Sequence, residues 1–219
     1  MGTGAFGKPE VRKTIRRDAQ ANRERILAAA ANAMAREGRN VPLATIADIA
    51  GVGIGTFYRK YPDRAALLHD MEYRAYDLLI AILDRIQGRQ SGAAAVEAFL
   101  LEALGIAEQL VLPLHGAPPL LDESAVLARR RINDEVDSFL AAGRADGSIR
   151  GDVNATDVIM CSALTTQPLQ HGPNWDVTAR RHIALFVAGL KAVDDDALPG
   201  QLVKQSDVEA AFAKARPKP

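Results

Sequence analysis

One short stretch of the chain carries small, hydroxylated and cationic residues that could contact a polyanion: Gly55, Thr56, Tyr58, Arg59 and Lys60. Hydroxyl and guanidinium groups donate hydrogen bonds to phosphates and to base edges, and a residue without a side chain lets two backbones approach closely. If the stretch is helical, Phe57 and Tyr61 are predicted to point to the opposite side and pack inward. The pattern is typical of a short helix that enters the major groove of DNA.

The elements that must position this face are two short helices and a third behind them. The spacing predicts helices over 43–50 and 54–61, with a break at Gly51-Val52-Gly53 in which Gly51 allows the positive φ of a tight turn. Helices of about eight residues bury little by themselves. A helix predicted over 18–37 supplies the missing partner, and the apolar residues expected to face it are Ile46, Ala47, Ala50 and Val52.

The charge of the chain is unevenly distributed although its net value is zero. Residues 1–64 hold twelve Lys/Arg and six acidic residues, which leaves +6 in this third and −6 in the remainder. A basic end on an acidic body suits a protein that binds a polyanion at one end. Chance clustering of solvated charges is the alternative that charge alone leaves open.

Composition favours one or two globular domains and excludes several other classes. Of the 219 residues, 48% are apolar and one is cysteine, so a core can form while an intramolecular disulfide or a multi-thiolate zinc site cannot. Cys161 is interpreted as a small buried apolar residue, with a redox switch as the alternative. Neither a membrane span nor a secretory signal is predicted, and we expect a cytoplasmic protein without a metal or cofactor.

Helical periodicity extends over the rest of the chain, so the predicted class is all-α with about nine helices. We expect a flexible basic arm at 1–17, a helix-turn-helix domain at 18–62 with its motif at 43–61, a helical ligand-binding and dimerisation domain at 63–192, and a mobile tail at 193–219. The helices predicted in the third segment span about 64–87, 93–110, 122–142, from 152 or 154 to 167, and 176–192. The tail is predicted to contain at most a marginal helix near 207–215.

Two segments, Arg23–Ala30 and Ile46–Leu68, resemble the TetR family of transcriptional regulators. The likeness covers roughly residues 15–75, including the helix lengths, the turn and Pro62 after the motif. Gly53 departs from the family pattern because Ser or Thr is frequent there, but Gly caps a helix nearly as well. Ile54 replaces a frequently polar residue, and either packs at the rim or contacts a thymine methyl.

The resemblance implies DNA-binding roles for nine residues: Arg16, Arg17, Thr45, Gly55, Thr56, Tyr58, Arg59, Lys60 and Arg64. It implies that Tyr58 and Arg64 hold phosphates and that Arg16 and Arg17 reach the DNA from the arm. Arg59 is the preferred candidate for base readout, because the bidentate Arg–guanine pair is the commonest specific contact. For Tyr58, burial in the core is the alternative.

The family also implies a homodimer that releases a palindromic double-stranded DNA operator when a small-molecule effector binds. Candidate residues for the effector cavity, each of which could instead be ordinary core, are Met71, Tyr76, Phe99, Leu104, His115, Phe139, Met160, Leu164, Gln167 and His171. Candidate dimer residues on the last core helix are Ile183, Ala184, Phe186, Val187 and Leu190.

Two other classes of function compete with a DNA-binding repressor. An enzyme is disfavoured because the sequence holds no nucleophile elbow, phosphate-binding loop, metal-ligand spacing or pair of candidate buried carboxylates. A helical binding module or chaperone without a DNA role is the other class. It predicts that changes at Tyr58 and Arg59 leave every activity intact.

Overall fold

The computed structural model describes residues 9–167, 174–191 and 197–215, with side chains from residue 17 onward. Within these residues it contains nine α-helices, two short 3₁₀ turns and no strand. This result confirms the predicted all-α class. By its internal contacts the chain divides into two units, residues 1–70 and 71–219.

The first unit consists of three helices and the beginning of a fourth. They are α1 (Pro9–Glu37), α2 (Leu43–Ile49), α3 (Ile54–Lys60) and α4 (Arg64–Ile86). Glycine sets two of the boundaries, because Gly38 (φ 85°) follows α1 and Gly51 (φ 62°) makes the turn between α2 and α3. The predicted inner face of the motif is confirmed, since Ile46, Ala47, Ala50 and Val52 are all buried.

The second unit is built around α5 (Gly92–Gly105), which packs against three other helices. These are α6 (Glu123–Ala145), α7 (Ala155–Thr165) and α8 (Trp175–Leu190). Gly143 permits the close approach of α6 to the start of α5, because a Cβ there would lie 3.1 Å from Gly92 Cα and 2.5 Å from Ile149 Cδ1. The side chains of Asp122 and Asn154 cap α6 and α7, which settles the predicted alternatives for the start of α7 in favour of Asn154.

Three segments differ from their predicted form. Helix α1 begins at Pro9 rather than Asp18, so residues 9–17 of the expected flexible arm are helical, while residues 1–8 lie outside the described residues. Helix α5 ends at Gly105, and 3₁₀ turns at Ala107–Gln109 and Pro113–His115 follow it. The expected tail contains the helix α9 (Gln205–Lys214), which has ten residues and lines a cavity within the second unit.

No helix among the described residues combines the length and the apolar character needed to cross a bilayer.

Candidate nucleic-acid interface and ligand cavity

Helix α3 presents one polar face to solvent and one aromatic face to the core. All five residues of the polar face, here called the α3 face, are exposed: Gly55, Thr56, Tyr58, Arg59 and Lys60. Phe57 is completely buried and Tyr61 is 2% exposed, with ring centroids 5.6 Å apart. The alternation predicted from the sequence is therefore present, and it fixes the rotation of α3 about its axis.

Polar groups on the α3 face lie close to each other. Arg59 Nη2 donates a hydrogen bond of 3.3 Å to Thr56 Oγ1, as residues three apart on a helix can do. The Tyr58 side chain is exposed and its ring meets Phe57 edge-on at 6.0 Å, so the buried alternative for Tyr58 does not hold. Ile54, at the start of α3, is 47% exposed, which leaves room for an apolar contact with a base methyl group.

A side-chain network that the sequence reasoning missed ties α3 to α1 and α4. Asp70 accepts hydrogen bonds from Arg23 Nε at 2.9 Å and from Arg23 Nη2 at 2.6 Å. It also accepts a hydrogen bond of 2.5 Å from the Tyr61 hydroxyl, directly after α3. An acidic residue on the inward side of α4 was the available signal, but its partners lie 47 and nine residues away in sequence.

The network also shifts the pKa of two of its members. Burial alone would raise the pKa of Asp70, but hydrogen bonds from Arg23 and Tyr61 outweigh it and hold this pKa below its usual value. Burial, followed by the hydrogen bond to Asp70, raises the pKa of the Tyr61 phenol. At neutral pH the network therefore joins an arginine cation, a carboxylate and a neutral phenol.

The remaining predicted DNA contacts fall into different environments. Thr45 is half-buried on α2, and Arg17 is exposed on α1. Arg16 lies in α1 as well, but its side chain is outside the described part of the structure. Arg64 is half-buried, and its guanidinium donates hydrogen bonds to the carbonyls of Arg39 and Val41, so it holds the loop between α1 and α2.

The second unit contains a small, mostly apolar cavity of about 80 Å³. Its walls come from α4, the second 3₁₀ turn, α6, α7 and α9, and its apolar lining includes Leu79, Leu112, Leu114, Ile132, Ile159 and Met160. Arg129 supplies a cation in this lining, and Tyr76 a phenol. An apolar space with few polar groups is the usual form of a small-molecule site.

Only two of the ten residues predicted for the cavity line it, namely Tyr76 and Met160. Four others are buried in the protein without lining it: Met71, Phe99, Leu104 and Phe139. Leu164 is 72% exposed and Gln167 is also exposed, so neither faces the cavity, and His171 lies outside the described residues. His115 is buried beside the lining, where Nδ1 bonds to the Leu110 carbonyl at 2.9 Å and Nε2 lies 3.2 Å from Thr166 Oγ1.

Arg129 is the centre of a cluster of polar groups at the edge of the cavity. Its side chain is 10% exposed and its Nε and Nη2 atoms each donate a 2.6 Å hydrogen bond to the Glu209 carboxylate. Nη1 donates to the Tyr76 hydroxyl at 3.1 Å and to the Leu120 carbonyl at 3.0 Å, and it lies 3.6 Å from Glu72 Oε1. Glu72, 1% exposed, also accepts hydrogen bonds from Tyr76 and from the Leu120 amide.

The stripe predicted as the dimer interface faces inward in its own chain. Ile183, Val187 and Leu190 are buried in the core of the second unit, and Phe186 packs against that core. Ala184 is exposed, as are Val177 and Leu185 on the same helix. The spacing of the apolar residues in α8 is therefore explained by the packing of this helix against α5 and α7 within the protomer.

Groups suited to metal binding or thiol chemistry are not brought together in the described ranges. No cluster of three or more His, Cys, Asp or Glu residues that could hold a metal ion is found there. Burial raises the pKa of the Cys161 thiol to about 11, so the reactive thiolate is scarce at neutral pH.

Comparisons with known proteins agree with this architecture. A family model described as bacterial regulatory proteins of the tetR family matches residues 26–71. A TetR transcriptional regulator from Streptomyces coelicolor is 27% identical, with a TM-score of 0.54, and the match covers 78% of this chain and 99% of that one. A TetR regulatory protein from Mycobacterium vanbaalenii is 25% identical, with a TM-score of 0.58 and coverage of 81% and 99%.

A more distant solved structure is FadR from Bacillus subtilis in complex with stearoyl-CoA. It is 15% identical, with a TM-score of 0.54 and coverage of 76% of this chain and 98% of that one, and this likeness shows the fold alone. The search of curated proteins found no match. The matched segment, the exposed α3 face and the likeness to solved regulators together show that the chain has the fold of TetR-family transcriptional regulators, with the DNA-binding segment of that family at residues 26–71.

Proposed function

We propose that the chain is a repressor that binds a palindromic operator as a homodimer and releases it when a small-molecule effector binds. The observation that carries the DNA-binding part is the α3 face: Thr56 and Arg59 are exposed and in contact, while Phe57 and Tyr61 hold the helix from behind. A rigid helix with exposed donors can read base edges without first being ordered. No catalytic activity is proposed, since TetR-family regulators are generally not enzymes.

Within the α3 face, Arg59 is proposed to read bases, and Tyr58 and Lys60 to contact the phosphate backbone. Gly55 and Thr56 lie at the beginning of α3, where they would come closest to the DNA. Thr45 and the exposed Arg17 would add backbone contacts from α2 and α1. Arg64 is assigned a positioning role instead of a phosphate contact, because its guanidinium already serves two backbone carbonyls.

For the homodimer we propose the exposed side of α8 together with α7, rather than the buried stripe of α8. Leu164 on α7 and Val177 and Leu185 on α8 are 72%, 63% and 60% exposed, unusually high values for large apolar residues. Ala184 and the neighbouring Ala188 would let a second helix approach closely. A twofold dimer then places its two α3 helices in successive major grooves, roughly 34–36 Å apart.

The effector would act by shifting the population of two states, one of which has the α3 helices at the operator spacing. Helix α4 is the proposed connection, since its residues belong to both units. Arg64, its first residue, would pass a movement of α4 to the loop before α2. The regulator would work in the cytoplasm, where its operator is accessible.

The test is a binding selection with the purified full chain on fragments of the source genome, at about physiological salt so that non-specific phosphate binding is weak. Recovery of a palindromic site, followed by reduced transcription from that site in the presence of the protein, would support the proposal. Recovery of a site without dyad symmetry would overturn the homodimeric operator. If no fragment is recovered with or without cell extract, the chain would be better described as a helical binding module.

A further inference from the structure

Helix α9 contacts the cavity through one stripe of four residues and nothing else. Gln205, Val208, Glu209 and Phe212 follow the i, i+3, i+4, i+7 spacing, and all four line the cavity. They are also the half-buried members of α9, whose other residues are exposed. No residue of α9 is fully buried. The helix therefore lies on the cavity as a cover.

The stripe presents the cavity with a carboxylate beside apolar groups. The Glu209 carboxylate takes both parallel donors of Arg129, the arrangement in which arginine binds carboxylates most strongly. The Phe212 ring lies 5.4 Å from the Arg129 guanidinium carbon, and the Tyr76 ring lies 5.9 Å from it. Val208 and Phe212 complete an apolar wall. Helix α9 therefore contributes one carboxylate, from Glu209, and the apolar side chains of Val208 and Phe212 to the cavity.

The space that remains beneath α9 is too small for an effector. The cavity measures about 80 Å³, whereas ligand sites commonly enclose roughly 300–1,000 Å³. Most of the lining on α4, α6 and α7 is apolar, so the site is suited to an apolar molecule once the cover is removed. Displacement of α9, which supplies one wall of the cavity, would open the site to a ligand of useful size.

We propose that this cavity is the effector site, that α9 is its built-in competitor, and that the effector is an amphipathic carboxylate that displaces α9 by replacing Glu209 on Arg129. This inference rests on the proposed function in one respect, namely that the chain responds to an effector. Glu72 is nearly completely buried and stays with Arg129, so one carboxylate is fixed and the second position is exchangeable. Exchange of Glu209 for a ligand carboxylate leaves the charge of the cluster unchanged.

Displacement of α9 is physically accessible. A helix of ten residues is marginal in water without packing, so α9 depends on its contacts with the cavity. The segment before it is attached to the second unit by two hydrogen bonds, from the Leu198 amide to Asp152 at 2.7 Å and from Asn154 Nδ2 to the Val203 carbonyl at 2.9 Å. These bonds can keep the segment near the cavity while α9 itself is released.

The test measures binding of decanoate to the full chain by calorimetry, with 1-decanol as the probe of equal chain length and no charge. We expect decanoate to bind and decanol to bind at least tenfold more weakly, because decanol cannot accept both donors of Arg129. In Glu209→Gln the competing carboxylate is lost while helix length and shape are kept. Decanoate should then bind about tenfold more tightly than to the wild type.

Glu97→Gln is the matched control, because Glu97 is exposed on α5 outside the cavity lining and the substitution removes the same charge. Its affinity for decanoate should equal that of the wild type. An equal gain in Glu97→Gln and Glu209→Gln would mean that only net charge matters, and would overturn the specific exchange at Arg129.

Hydrogen–deuterium exchange reports directly on α9. Decanoate should speed exchange of the amides of 205–214 and slow exchange in the cavity-lining parts of α6 and α7. If decanoate binds and α9 exchange is unchanged or slower, α9 is part of the site and the competitor role is wrong. If decanoate binds neither the wild type nor Glu209→Gln, or binds no better than decanol, the carboxylate class is wrong.

These measurements use no DNA, so their failure differs from failure of the proposed repressor. A chain that selects a palindromic operator but ignores decanoate contradicts only the effector inference. A chain that binds decanoate with release of α9 but selects no DNA contradicts only the repressor function.

Discussion

Arg23 in α1 donates hydrogen bonds from Nε and Nη2 to the carboxylate of Asp70 in α4, which lies 47 positions later in the sequence, at 2.9 and 2.6 Å. Tyr61, at the end of α3, donates a third hydrogen bond to the same carboxylate. The helix that carries the α3 face is thus held by an acceptor on one helix and a cation on another. The stability of this small unit and the placement of α3 depend on the same carboxylate.

We expect Asp70→Asn to lower the free energy of unfolding by about 1–3 kcal/mol, because Arg23 loses the Asp70 carboxylate in a half-buried site and keeps only its ion pair with Glu24. Urea denaturation followed by circular dichroism measures the effect. Asp77→Asn is the control on the same helix, since Asp77 is exposed. Equal stability of the two variants would contradict a structural role for the network.

The contribution of Asp70 should depend on pH in a defined direction. Its folded-state pKa is lowered, so the stabilisation is complete above the unfolded pKa of about 4 and is lost as pH falls through the folded pKa. Asparagine does not titrate, so the stability difference between wild type and Asp70→Asn should be constant from about pH 5 to 8 and shrink below about pH 4. Urea titrations across this range would reveal a constant difference at all pH values if the assignment is wrong.

Arg59→Ala should weaken binding to the selected operator by about 1–3 kcal/mol and relax discrimination at one base position. The side chain is exposed, so the unfolding free energy should not change. Fluorescence anisotropy with operator variants measures both effects. Arg89→Ala removes another exposed cation, from the turn after α4, and should leave specificity unchanged. Uniform weakening on all sequences would reassign Arg59 to the phosphate backbone.

Tyr58→Phe and Tyr61→Phe should separate binding from folding, although both remove one hydroxyl within the same motif. Tyr58 is exposed, so its loss should weaken DNA binding by about 1 kcal/mol at unchanged stability. Tyr61 donates to Asp70, so its loss should lower the unfolding free energy by about 1–2 kcal/mol. Thermal denaturation and anisotropy on both variants test this, and a stability loss in Tyr58→Phe would argue against a surface role.

Leu185→Glu should dissociate the proposed dimer, because a charge would be placed twice in a twofold interface of otherwise apolar residues. Light scattering after gel filtration should give the monomer mass at concentrations at which the wild type is dimeric. Leu127→Glu is the control, because Leu127 is 52% exposed on α6 outside this surface. A dimeric Leu185→Glu protein would show that the interface lies elsewhere.

The local sequence pattern was sufficient to predict much of the structure of the first unit. Gly51 and the apolar spacing of Ile46, Ala47, Phe57 and Tyr61 predict the turn, the two short helices and their inner faces. All these features depend on residues close together in sequence, where helical geometry alone decides which side chains share a face. The helix boundaries differ most from the predicted ones at Pro9 and Gly105.

The apolar stripe of α8 shows what a one-dimensional pattern cannot decide. A row containing Ile183, Val187 and Leu190 predicts that something covers it, but a stripe is the same whether a helix of its own chain or of a second chain does so. In the structure the protomer's own core covers it, and the exposed side carries Leu185 instead.

By itself, the sequence determined the all-α class, the helix-turn-helix and the polar face of α3, because those features follow from the spacing of neighbouring residues. Tertiary structure alone decided that Asp70 joins Arg23 to Tyr61, that Arg64 holds a loop, and that Glu209 reaches Arg129 from 80 residues away. Hydrogen bonds and ion pairs of this kind need atoms within about 3 Å. Only the packing of whole helices brings such distant residues so close.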